Sequence, residues 1–116
     1  MAAYGRTKLA LVLFTKELAR RLQGTGVTAN TLHPRIAFTQ LGEQLNPVQR
    51  LFVKAVAKSP EEIAQTQIYL ASSLEVAEVS GEYFIDKKPA VPGSRALDEA
   101  TGKRLWDVTC KLTGLT

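Results

Sequence analysis

Gly26-Val27-Thr28-Ala29-Asn30-Thr31-Leu32-His33-Pro34 decides the fold class. Residues 26–33 read as a short strand that is moderately apolar on both faces, as a buried parallel strand is. Pro34 ends it, because proline has no N–H to give to a ladder. Upstream, residues 2–23 read as one helix. Leu11, Phe14, Leu18 and Leu22 keep helical spacing, and Leu9, Val12 and Leu13 widen the apolar surface over the first half. Lys16, Glu17, Arg20 and Arg21 make only the second half polar; the two arginines suit the helix C-terminus, and Gly24 suits its stop. A helix that feeds a parallel strand is half of a βαβ unit, so the chain is expected to be α/β. The strand that should precede the helix is missing.

Downstream of Pro34 the pattern continues as alternating elements. Residues 35–47 read as loop, and Val48, Leu51, Phe52, Ala55 and Val56 form the apolar face of a short amphipathic helix. Ser59-Pro60-Glu61-Glu62 is the clearest local signal, with a capping serine, a proline at the first helical position and a glutamate closing the capping box. The helix it opens is expected to run to about Ser72, with Ile63, Gln67, Leu70 and Ala71 on one stripe. Residues 80–86 read as a second strand and Pro89 to Ser94 as loop. A last helix, anchored by Leu97, Trp106 and Leu112, is expected to end at Gly114. Gly102 costs ~1 kcal/mol there relative to alanine, so a break at that point is plausible on local grounds.

Length and composition bound the function. The 116 residues suffice for one small domain, and 45% apolar with 22% charged residues argues against disorder and against a coiled coil. The longest apolar run, Leu9 to Phe14, is six residues, far below the ~20 of a bilayer span. The start, Met1-Ala2-Ala3-Tyr4-Gly5-Arg6, has no signal-peptide pattern. Cys110 has no cysteine partner, and with one histidine besides, no metal site is expected. Residues 1–60 carry nine Lys/Arg against Glu17 and Glu43, while residues 61–116 carry six against nine acids. The basic half could face phosphate. A solvated surface is the better reading, because no basic run exceeds two residues and no aromatics interleave, so no nucleic acid is expected as a partner.

Tyr4 and Lys8 stand at positions i and i+4, on one face of the first helix. A tyrosine with its ordinary pKa near ~10 is a poor base at neutral pH. A cation close by stabilises the phenolate and turns the phenol into a usable proton donor and acceptor. The spacing alone arises often by chance, and an exposed helical pair without function is the ordinary reading of it.

The order of the surrounding segments narrows the choice. Tyr4-Gly5-Arg6-Thr7-Lys8-Leu9-Ala10, then residues 13–22, then Gly26 to Pro34, resembles the C-terminal half of a short-chain dehydrogenase/reductase. Within that superfamily it is most similar to the retinol dehydrogenase and WW-domain-containing oxidoreductase branch. The match continues through Ser59 to Thr66, Tyr69 to Ser73, Val79 to Phe84, Ala96-Leu97-Asp98, Leu105-Trp106-Asp107 and Leu112 to Leu115, covering essentially the whole chain in one order.

The resemblance implies the C-terminal part of a Rossmann-type doubly wound parallel sheet, with about two strands and four helices and the N-terminal half missing. It divides residues 1–116 of this partial domain into a catalytic helix (2–23), a strand and nicotinamide loop (26–34), a substrate-covering segment (40–58) and a closing helix, last strand and C-terminal helix (59–116). It implies an NAD(P)-dependent alcohol–carbonyl oxidoreductase, with NADP favoured over NAD although the residues that choose are absent. Tyr4 would be the general acid/base. Lys8 would depress the Tyr4 pKa and bind the nicotinamide ribose. Pro34, Ile36 and Thr39 would line the nicotinamide, and Leu41, Leu45, Leu51 and Phe52 suggest a small apolar substrate, as readily as they suggest a helix that packs on the core. Without the resemblance, Pro34 reads as a strand stop, Ile36 as core and Thr39 as a turn residue.

Two departures stand out. Arg35 occupies a position where the family usually has glycine, and its side chain could turn outward, pair with a phosphate or obstruct the nicotinamide. His33, common before this loop in the branch, reads as structural. The Gly-rich phosphate turn and the catalytic serine are absent, and Gly24-Thr25-Gly26 follows a helix and enters a strand, the reverse of the order required. The isolated chain is therefore expected to be inactive and to associate as a homo-oligomer through helix 2–23. The alternative is a non-enzymatic interaction module or the product of a decayed gene. A cytoplasmic, reducing location is expected, with membrane association of a longer form left open.

Overall fold

The computed structural model describes residues 2–35, 46–56 and 58–115. Among these described residues, four helices and three short strands follow one another as α1 (Ala2–Arg21), β1 (Thr31–His33), α2 (Pro47–Val56), α3 (Pro60–Ser72), β2 (Tyr83–Ile85), β3 (Lys88–Pro89) and α4 (Glu99–Thr113). Single 3-10 turns stand at Leu74–Val76 and Ser94–Leu97.

β2 is the centre of the sheet, with β1 on one side and β3 on the other. β1 runs parallel to it in the register Thr31–Tyr83, Leu32–Phe84 and His33–Ile85. β3 is antiparallel, pairing Phe84 with Pro89 and Ile85 with Lys88. This third strand corrects the expected two-stranded parallel sheet, for Pro89 belongs to a strand and not to a loop. Asp86 and Lys87 make the turn, both with positive φ (50° and 63°), the backbone that a two-residue hairpin requires.

β1 is also shorter than residues 26–33. Gly26 has φ 76°, and the Val27 N–H donates to Thr25 Oγ1 at 3.2 Å, so a turn occupies the start of that span. Asn30 then adds side-chain bonds to the backbone ones that Gly81 gives Ala29 and Thr31 gives Glu82. Its Nδ2 donates to the Val79 carbonyl at 2.7 Å, and its Oδ1 accepts the Glu82 N–H at 3.0 Å.

The core is small. Leu13, Ala19, Val76, Phe84 and Ala96 are buried, and Phe84 is fully enclosed at the sheet centre with the Tyr69 ring edge-on to it at 6.4 Å. α1 and α4 pack against each other, with Phe14 stacked on Trp106 at 5.0 Å. The Arg21 guanidinium covers the Trp106 ring at 4.6 Å and its Nε donates to Glu17 at 2.7 Å. Glu17, only 4% exposed, also accepts from Arg20, so the buried carboxylate is fully paired.

Gly102 does not break α4. It is buried where α4 meets α1, and a Cβ there would lie 3.5 Å from the Leu13 carbonyl oxygen. Asp98 caps the helix by accepting the Ala100 and Thr101 N–H groups, and Gly114 ends it in the left-handed conformation expected of it. Of the three expected anchors only Trp106 serves. Leu97 lies outside the helix, half-exposed, and Leu112 points to solvent. The expected capping box of α3 is complete, with Ser59 Oγ accepting Glu62 N–H at 3.2 Å and Glu62 accepting Ser59 N–H at 3.0 Å.

Candidate active site

α1 is fixed to the sheet through its second half. Lys16 Nζ donates to the Gly81 carbonyl at 3.1 Å, and Ala19 lies against Gly81, just before β2. The chain then reverses through Gly24 and Gly26 and enters β1, so α1 and β1 run in opposite directions. Tyr4 lies twelve residues before Lys16, about 18 Å along a helix axis.

The expected i, i+4 contact is present. Lys8 Nζ lies 5.3 Å from the centroid of the Tyr4 ring, over its face. Tyr4 is 67% exposed and its ring opens to solvent. At the end of β1, Pro34 is also exposed and leads into Arg35. Ile36 and Thr39, together with Leu41 and Leu45, lie outside the described residues. Leu51 and Phe52 on α2 are exposed, at 72% and 69%.

Arg35 has φ 62°, and its guanidinium turns to Asp86, with Nε and Nη2 at 3.0 and 2.8 Å from Oδ2. The other carboxylate oxygen, Oδ1, accepts from Lys58 Nζ at 2.8 Å. The Lys58 ammonium foremost, and the Arg35 guanidinium with it, hold Asp86 below the usual carboxylate range. The Arg35 N–H donates to Nδ1 of His33 at 2.9 Å. Asp86 and Lys58 were not among the residues expected at this end of the sheet. The register was the available signal, for pairing His33 with Ile85 puts residue 86 beside Pro34.

Among the described residues, no group of three His, Cys, Asp or Glu side chains could hold a metal ion, and no helix is long and apolar enough to cross a membrane. The Tyr4 phenol and the Lys8 ammonium share one face of α1, and Pro34 is exposed at the end of β1.

No family model matches the chain. It is 49% identical to retinol dehydrogenase 14 of Homo sapiens over 97% of its own length and 35% of that protein's. It is 48% identical to retinol dehydrogenase 13 of Homo sapiens, over 98% of the chain and 37% of that protein, and 43% identical to retinol dehydrogenase 12 of Mus musculus, over 97% and 36%. The chain thus spans about a third of the length of the curated relatives it matches, less than the half expected. Nearly the whole chain is thus similar to one part of these retinol dehydrogenases, which are members of the short-chain dehydrogenase/reductase family.

Proposed function

We propose that residues 1–116 form part of a nicotinamide-dependent oxidoreductase that interconverts an alcohol and a carbonyl on a small apolar substrate. The observation that carries the reading is the Tyr4–Lys8 pair on one face of α1 in a chain 49% identical to a retinol dehydrogenase. Tyr4 gives its hydroxyl proton to the carbonyl oxygen in reduction and takes the alcohol proton in oxidation. Lys8 sets positive charge beside the Tyr4 ring, which offsets the negative charge on the phenol oxygen after proton donation, and it reaches the nicotinamide ribose. Pro34, Ile36 and Thr39 are the residues that would hold the nicotinamide. When bound, the cofactor, NADP or NAD, would provide the hydride chemistry.

Leu51 and Phe52 on α2 offer exposed apolar surface to the substrate, within the segment 40–58 assigned to cover it. On this reading residues 2–23 are the catalytic helix, 26–34 hold β1 and the start of the nicotinamide loop, and 59–116 are the closing unit.

The test replaces the homologous third of human retinol dehydrogenase 14 by this chain and measures retinol oxidation. Tyr4→Phe should lower turnover by at least ~100-fold and leave cofactor affinity within a few-fold. Unchanged turnover would remove Tyr4 from the chemistry. A second reading, an interaction module, is favoured by the exposed Leu11 on α1. It predicts self-association that Leu11→Glu weakens, with no activity in the chimera.

A further inference from the structure

Arg35 carries a long side chain on a left-handed backbone, φ 62°, a conformation that suits glycine and strains residues with a Cβ. Such a residue persists where its surroundings over-determine it. Two contacts do so. The Arg35 N–H is held by Nδ1 of His33, and its guanidinium grips Asp86 with two nitrogens. Asp86 is itself in the left-handed region, at φ 50°, where the β2–β3 turn begins.

The carboxylate of Asp86 uses its two oxygens on different segments. Oδ2 takes Arg35 at the exit of β1, and Oδ1 takes Lys58 just before the Ser59 cap of α3. One side chain thus ties the end of β1 and the start of α3 to the turn after β2. Ion pairs as open to solvent as these contribute little to overall stability. Their consequence lies in where they hold the backbone.

The geometry points to Asp86 as a positioning residue: it holds Arg35, and with it the Pro34 exit of β1, on a path that a glycine would follow without help, and it keeps the guanidinium on the β2–β3 turn. The inference deepens the proposed reading and rests on it insofar as Pro34 lines the nicotinamide. If so, arginine at position 35 obstructs nothing while Asp86 is ionised.

The test is a double-substitution cycle on the whole chain at one fixed concentration, using Arg35→Gly, Asp86→Asn and the pair. Asp86→Asn should shift the unfolding equilibrium roughly threefold or more in the Arg35 background and much less once residue 35 is glycine. Rescue of Asp86→Asn by Arg35→Gly is the result that separates positioning from general stabilisation. An equal loss in both backgrounds would overturn the proposal. Independently of folding midpoints, the Arg35 Nε–H resonance in a nitrogen-15 spectrum should exchange slowly in the unsubstituted chain and fast in Asp86→Asn. Fast exchange in both would also overturn it. Neither readout involves the cofactor, so a failed Tyr4→Phe test leaves this result standing, and failure of the cycle leaves Tyr4 untouched.

Discussion

Gly81 and Arg35 meet the same backbone demand in different ways. Gly81 has φ 81° and touches Ala19 so closely that a Cβ would come within 3.3 Å of it, so both torsion and space call for glycine. Gly81→Ala should destabilise the chain by about 1–2 kcal/mol, measured as a lowered urea midpoint. Asp86 contributes to the acid response, as Asp98 does. Its folded pKa lies below the ordinary carboxylate value of ~3.9. Its contribution is therefore present above that value and is lost as pH falls through the folded one. Stability of the Asp86→Asn variant should fall less steeply below about pH 4 than that of the parent, in denaturation curves taken across that range. At this scale the closeness of Lys8 to Tyr4 and the strand stop at Pro34 were legible, because helical spacing and a proline stop are local facts. Asp86 and Lys58 were not, because Asp86 reaches Arg35 only through strand register and a turn 51 residues along the chain, and Lys58 joins them only through Asp86.

Elements written in short-range code were read correctly, and those decided by packing were not. The capping box of α3 is complete within four residues, and α1 ends two residues before its expected limit. β1 and β2 have three residues each, too short for alternation to fix their ends, and β3 has no glycine or asparagine to announce its turn. At Gly102 the helix propensity rule pointed to a break, while the close approach of α1 keeps the residue inside an unbroken α4. A Cβ at 3.5 Å from the Leu13 oxygen is ordinary contact. Gly102→Ala should therefore be neutral or stabilising by up to ~1 kcal/mol. Gly102→Leu should force α1 and α4 apart and dissolve the Phe14–Trp106 stack, read as a loss of near-ultraviolet circular dichroism from the single tryptophan.

The whole molecule is loosely gathered. Its radius of gyration is 16.7 Å, against about 13 Å for a compact domain of this length. Leu11, Val48, Leu51, Phe52 and Leu112 remain exposed. Leu13 and Phe14, on the helix expected to mediate association, are instead engaged within the chain, Leu13 in the core and Phe14 on Trp106, which leaves Leu11 as the exposed leucine of α1. We expect the chain to sediment as an oligomer at micromolar concentration, with a melting temperature that rises with concentration. A concentration-independent melt from a monomer would contradict this.

The stack of Phe14 on Trp106 has a consequence for synthesis as well as for packing. About ninety residues separate the two rings, and at roughly 5–20 residues per second a ribosome takes on the order of 5–18 s to cover that interval. Throughout it, the apolar stripe of the first helix has emerged while the helix that covers it has not. The nascent chain thus offers a chaperone its binding surface early and withdraws it last.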